Sequence, residues 1–439
     1  MHNQDGGMPE NPDTLVPPAR PAHRNPRWWL AAQSALFAYG LTLGAALVMM
    51  ALLVLGFFLG GAGALNGMND SASSMGARLD GPSALLIYPF FLAAMALGST
   101  TVLTVSPAVF SDAALPLTSV WIGVLPLLLT VVAAGALWHL GRRAERKSAL
   151  ESDGLRWLYS GGTGLVLAVV SVLLSLASSL RSDTEAGAVF LTAASPSLVA
   201  GSILLGTVAS WAGRKKESGT ALQWFGRVER ILPGLRAALR IAGCHYLAYT
   251  AVAGTALLVT ALVRGGAAIA FASPLWLPTA SAWAYAVGHL SPVTDQGLML
   301  SWQLPASVAD LSGWGSALIG GLGLLLAAAA SVAWSLIRNQ DSQAVPAPSL
   351  PKASWLTLPV VFGLAGAAVS VLSLIAAGEG ATGGGIGPGI GTLGPAWWTF
   401  LVMAVWGAAI ELGARTLAPH VVHLVPARVG AFFTGNAPK

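Results

Sequence analysis

The fold class this sequence predicts is an all-α polytopic integral membrane protein. It has about eight full transmembrane helices and two further apolar segments that are re-entrant or lie on the outer surface. Three observations predict it. Of 439 residues, 55% are hydrophobic and only 9% are charged, against about 25% charged in a soluble domain. Apolar runs long enough for a hydrocarbon core, which takes about 20 residues, recur along the whole chain. The few basic residues gather in clusters between those runs, as cytoplasmic loops of membrane proteins do. So little charge excludes a soluble enzyme, a disordered chain and a nucleic-acid-binding protein. The net charge of +5 then belongs to loops at the membrane, with no nucleic acid as partner.

Residues 1–27 hold Pro9, Pro12, Pro17, Pro18, Pro21 and Pro26 among polar side chains. Such a segment buries too little apolar area to fold and reads as a disordered cytoplasmic tail. Residues 28–418 form the transmembrane domain, and 419–439 a cytoplasmic C-terminal tail. The first apolar run, 29–60, far exceeds the roughly 7–15 apolar residues of a signal peptide and reads as a permanent helix. The next spans are 118–141, 157–180, 188–213, 241–263, 314–337, 355–377 and 397–418.

Two more apolar stretches, 83–103 and 267–289, would make ten spans, and charge placement weighs against ten. With ten crossings, more basic residues fall outside than inside. With eight, only Arg78, Arg181 and Arg264 lie outside, and the other 20 of the 23 basic residues lie inside, as the positive-inside rule demands. Both termini are then cytoplasmic, as are the basic loops near 142–156 and 214–240. Trp28, Trp29, Trp138, Trp157, Trp211, Trp334 and Trp355 fall at the inner ends, where indoles favour headgroup depth.

The two leftover stretches share features. Ser106-Pro107 and Ser273-Pro274 accompany them, with Leu115-Pro116 and Leu277-Pro278 each followed by small residues and then Trp121 or Trp283. These similarities hint at an internal repeat, although Pro favours first helical turns in any chain. Re-entrant backbone must be buried in protein or line an aqueous cavity, which is where transporters place their sites.

Chemistry-bearing residues are few. An ionisable group inside a span is a functional candidate by default, and His245 and Glu411 qualify. Glu411 precedes Arg415 by four residues, a spacing that pairs them on one helix face. The outer stretch after Arg264 gathers Trp276, Trp283, Tyr285, His289, Asp295, Trp302 and Asp310. Rings with a few polar groups make a partner or ligand surface, or an outer aromatic belt. The run from Gly378 to Gly394 lacks Lys and Arg and reads as a flexible connector. One cysteine, Cys244, excludes an intrachain disulfide and any multi-Cys metal site. Phosphate-loop, Gly-x-Ser-x-Gly and zinc-protease motifs are absent, so no cofactor, metal or catalytic residue is expected.

The run Pro278-Thr279-Ala280-Ser281-Ala282-Trp283-Ala284-Tyr285-Ala286-Val287-Gly288 resembles a segment of actinobacterial multi-pass membrane proteins, the streptophobe family, and next to it the PerM-like cell-division membrane proteins. The resemblance implies an envelope-associated membrane protein without known catalysis and carries no functional residues over. Sequence therefore leads to a non-enzymatic protein of the bacterial plasma membrane that acts through protein or lipid partners. The alternative is a permease for an apolar or weakly polar solute.

Overall fold

The computed structural model describes residues 28–60, 82–107, 117–148, 150–184, 187–217, 221–296, 313–344, 355–382 and 390–425. The Pro-rich tail, Trp302 and Asp310 lie outside them, as does the C-terminal tail beyond residue 425. The chain is a helical bundle. Helix α1 spans Trp29–Gly60, α2 Pro82–Ala96, α3 Leu127–Ser148, α4 Asp153–Ala177 and α5 Pro196–Glu217. A surface helix α6 (Ala221–Ile231) leads to α7 (Leu235–Phe271), α8 (Ser273–Gly288), α9 (Gly313–Ala344), α10 (Thr357–Leu372), α11 (Thr399–Thr416) and the short α12 (Ala418–Val421). Ala- and Leu-rich stretches have high helical propensity, and a helix apolar all round is either buried or facing lipid. Capping is local: Ser152 accepts a hydrogen bond from the Leu155 amide, with Asp153 in the first turn of α4, where a negative charge meets the helix dipole.

Among the described residues, five helices are long and apolar enough to cross a membrane. They are six if α11 and its continuation through Leu424, bent by 54°, count as one. Helix α3 falls short because its last turns carry Arg142, Arg143, Arg146 and Lys147, and α10 because it has 16 residues. The two stretches left over from the charge count form short helices of 15 and 16 residues, α2 and α8. At 1.5 Å per residue these reach about 22–24 Å, less than the roughly 30 Å hydrocarbon core. Ahead of α8, α7 itself is kinked at Gly266, whose φ of 71° lies in the left-handed region open to glycine.

The all-α expectation needs an addition. The connections at one end of the bundle carry strands: β1 (Thr101–Pro107), β2 (Leu117–Val124), β3 (Leu180–Thr184), β4 (Gly187–Thr192), β5 (Val293–Gln296), β6 (Ile375–Thr382) and β7 (Ile390–Pro395). They join in one sheet in the order β3-β4-β1-β2-β6-β7-β5, every pairing antiparallel. The glycine run read as a flexible connector supplies most of β6 and β7, with 383–389 outside the described residues. Trp121 pairs with Gly378 in register, and a Cβ on Gly378 would meet the Trp121 indole at 2.6 Å. The ring thus covers the bare glycine, a recognised way of stabilising a glycine in a sheet.

The opposite end is basic. Residues expected in loops 142–156 and 214–240 lie mostly on the ends of α3, α4, α5 and α7 and on α6.

The order of elements repeats. Five helices run as α1, α2, α3, α4, α5 and again as α7, α8, α9, α10, α11; strands follow the second helix of each set (β1 and β2 in the first, β5 in the second), and a hairpin precedes the last (β3-β4 and β6-β7). The packing repeats with it, α4 on α5 and α10 on α11, α3 on α5 and α9 on α11. β1 pairs with β4 as β5 pairs with β7. The short helices also end in the same turn. The amides of Leu97 and Ser99 donate to the Ala94 carbonyl, and those of His289 and Ser291 to that of Ala286. Gly98 and Leu290 stand between them at φ 94° and 69°. The repeat does not run through the Leu-Pro-Trp segments that first hinted at it, since Trp121 lies on β2 and Trp283 on α8.

Each half has its own core, and helices approach through small residues, as membrane helices do. A Cβ on Gly213 of α5 would stand 2.0 Å from the Trp138 carbonyl oxygen, and one on Gly407 of α11 2.6 Å from that of Leu358. The halves meet where Gly56 of α1 faces Ala268 and Phe271 of α7, around Leu275, and along the β2–β6 ladder.

Candidate functional site

Two kinds of polar cluster are buried in this apolar molecule. The first kind occurs once per half, at the basic end. Glu411 is 0% exposed. It accepts from Trp334 Nε1 at 2.5 Å, Arg338 Nη1 at 2.6 Å and Arg415 Nε at 2.6 Å. The expected Glu411–Arg415 pair is present, and α9 adds two donors that spacing could not show. Trp334 is therefore buried in the bundle and not part of an interfacial belt. In the other half Glu145 accepts from Arg156 Nε at 2.9 Å and stands 3.6 Å from Arg214 Nη1. Here the carboxylate sits on the third helix and an arginine on the last, the reverse of Glu411 and Arg338. The Glu411 cluster ties two helices together and the Glu145 cluster three, and paired, hydrogen-bonded charge is the form in which a bundle interior tolerates ions.

Among the described residues, the second kind occurs in one half. His245, Tyr246 and Tyr249 lie on α7, while Tyr285 and His289 lie on α8 and its cap. His245 with Tyr249, and Tyr285 with His289, are four residues apart and so share helix faces. His245 Nδ1 is 3.2 Å from the Tyr285 hydroxyl, and the His245 and His289 rings are 5.0 Å apart. His289 Nδ1 is 2.6 Å from the Tyr285 carbonyl oxygen, which only accepts, so Nδ1 carries the hydrogen and Nε2 is left as an acceptor. Trp406 of α11 donates to the His289 carbonyl at 2.9 Å, Phe362 of α10 packs edge-on against His245, and Tyr249 donates to the Ile319 carbonyl of α9 at 3.3 Å. Five helices thus converge on this cluster, and Nε2 of each imidazole is buried with no hydrogen-bond partner among the described residues.

The repeat sharpens this. The turn position held by His289 is held by Leu97 in the other half, whose core is aliphatic apart from Tyr39 and Phe91. The first half buries scattered hydroxyls such as the Ser171–Ser202 pair, and the other concentrates hydrogen-bonding rings. Residues just before or at the start of the last helix hold each turn. Ser99 donates to the Ala193 carbonyl, and Ser291 and Thr399 hydroxyls lie 2.7 Å apart.

Of the expected outer surface, only part is a surface. Tyr285 and His289 are inside the bundle at 1% and 0% exposure, and Trp283 is buried with its indole donating to the Ser373 carbonyl at 2.9 Å. They turn inward because α8 packs on α7, α9 and α10 instead of lying flat. Trp276 is half-buried and donates to the Ile269 carbonyl, and Asp295 is exposed on β5. His245, a candidate polar residue inside a span, is joined to Tyr285 and His289. Tyr249, Phe362 and Trp406 had escaped notice, although the i,i+4 spacing of His245 and Tyr249 is visible in sequence.

Among the described residues no group of three or more His, Cys, Asp or Glu is placed to hold a metal ion. Comparison of the chain with protein-family models, with curated proteins and with solved structures finds no match.

Proposed function

We propose that this chain is a non-enzymatic protein of the bacterial cell membrane. It crosses eight times with both termini cytoplasmic and works by presenting its seven-stranded sheet to envelope proteins. The observation that carries the reading is the sheet itself. It is built from connections at one end, and the β2–β6 ladder makes it continuous across both halves. Exposed strand edges and rings are surfaces on which proteins add strands or dock side chains. The orientation rests on charge: the end opposite the sheet holds the arginine and lysine clusters of α3, α5 and α7, and such clusters stay cytoplasmic. Eight crossings follow if α3 and α10 span while α2 and α8 enter and return. In-cell photo-crosslinking from Gln296 and Ile122, on the sheet, is expected to trap a small set of envelope proteins that Glu151 does not trap. The same products from all three positions would contradict the proposal.

A second reading is favoured by the paired short helices and the histidine cluster. Short, Pro-interrupted segments in corresponding places of two repeats point to a transport site, and α2 and α8 contain Pro89 and Pro278. A permease for a weakly polar solute would use the free Nε2 atoms of His245 and His289 as its hydrogen-bonding groups. His289→Leu, which copies the residue of the other half, separates the two. A transport role requires the variant to fail in complementing a deletion strain at normal protein level and with normal crosslinks. A docking role requires it to succeed.

A further inference from the structure

At the basic end, α1 and α3 leave a cleft of about 530 Å³ between them. Leu36 and Phe37 of α1 and Leu140 of α3 form its apolar wall, and Gln33, Arg143 and Lys147 its polar mouth. Arg143 also borders an adjoining cleft of about 260 Å³ with His139, Arg142 and Arg146. The four cations are not equivalent. Arg142 and Arg146 both donate to Glu217, at 3.2 and 2.7 Å. Arg143 and Lys147 are exposed, one turn apart on the same face of α3, and no hydrogen bond or ion pair to either is found among the described residues. Four positive charges thus meet one carboxylate at the mouth of an apolar groove, with the exposed indoles of Trp28 and Trp29 at the start of α1.

We infer that this groove seats one anionic phospholipid of the cytoplasmic leaflet. Its phosphodiester is held by Arg143 and Lys147, and an acyl chain lies along Leu36, Phe37 and Leu140. The assignment rests on charge complementarity. Basic pockets between membrane helices on the cytoplasmic side hold anionic headgroups, and a guanidinium matches phosphate oxygens in geometry as well as charge. A zwitterionic lipid brings a phosphate too, but its ammonium returns a positive charge to a site that already has an excess. The groove is a property of the chain, so binding in detergent tests it independently of the proposed orientation and docking role.

The test is native mass spectrometry of the purified full-length chain titrated with phosphatidylglycerol or phosphatidylcholine. One phosphatidylglycerol is expected to remain bound at collision energies that strip phosphatidylcholine. The double variant Arg143→Gln, Lys147→Gln should weaken that adduct about thirtyfold, from about 1 kcal/mol per basic residue. Phe37→Ala should weaken it less, and Arg264→Gln, at the other end of α7, should leave it unchanged. Millimolar inorganic phosphate should not displace the lipid. Equal retention of phosphatidylcholine, an unchanged adduct in the double variant, or displacement by phosphate would each overturn the inference.

Discussion

Glu411 has no exposed surface, yet three side chains from two helices donate to it. Removing its charge deprives Arg338 and Arg415 of the buried carboxylate they share, and breaking a buried pair this way costs about 3–5 kcal/mol. Glu411→Gln is therefore expected to lower the thermal midpoint of the detergent-solubilised protein sharply, and a midpoint unchanged from the parent would refute the pairing. Leu290 works in the other direction. It holds a left-handed φ of 69° in the turn where the first half has glycine, and 66% of its surface is exposed. Little burial is lost on truncation, whereas a left-handed non-glycine residue costs about 1–2 kcal/mol. Leu290→Gly should raise the midpoint. The Glu411–Arg415 pair was legible in sequence because both groups lie on one helix. Arg338 and Trp334 were not, because a partner 73 or 77 positions away is brought near only by packing. Tyr285 and His289 were assigned to an outer surface and lie inside the bundle, since nothing local reveals that α8 turns into it.

Elements are positioned here by backbone approach as much as by side-chain burial. Gly213 lies against the Trp138 carbonyl, and a methyl group there would stand 2.0 Å from that oxygen. Gly213→Ala must push α5 off α3, and overpacking of this kind costs about 1–3 kcal/mol. Gly135→Ala, with nothing within 4 Å of the new methyl, should be neutral or slightly stabilising, since Ala is the better helix former by about 1 kcal/mol. Paired melting curves check both, and equal effects would contradict the close approach. The spacing Gly40-x-x-x-Gly44, which reads as a packing motif, has nothing within 4 Å of either position, whereas Gly201 and Gly206 do pack. Spacing identifies glycines that could approach a neighbour, and only the fold selects those that do. The strands were missed for a related reason. They are short, lie in connections, and in β6 consist largely of glycine and alanine, with two glycines among the six residues of β7, residues of low intrinsic strand preference. Their ladders come from the long-range pairing of connections that the helices bring to one end.

At the scale of the whole molecule, sequence registered the scarcity of charge, the two short apolar stretches and the asymmetric placement of the basic residues. The two halves share an order of elements, a strand pairing and a turn, while their buried clusters differ in chemistry: a carboxylate exchanges helices with an arginine, and Leu97 answers to His289. Such a repeat is nearly invisible in sequence because packing requires the sizes and faces of residues, not their identities. Orientation is the claim on which the docking surface and the leaflet assigned to the lipid depend. The direct measurement is cysteine labelling of intact cells with a membrane-impermeant maleimide, in a Cys244→Ala background. Eight crossings with the sheet outside require Gln296→Cys to label in intact cells, and Glu151→Cys and His423→Cys to label only after permeabilisation. Labelling of Glu151→Cys or His423→Cys in intact cells, or protection of Gln296→Cys there, would contradict it.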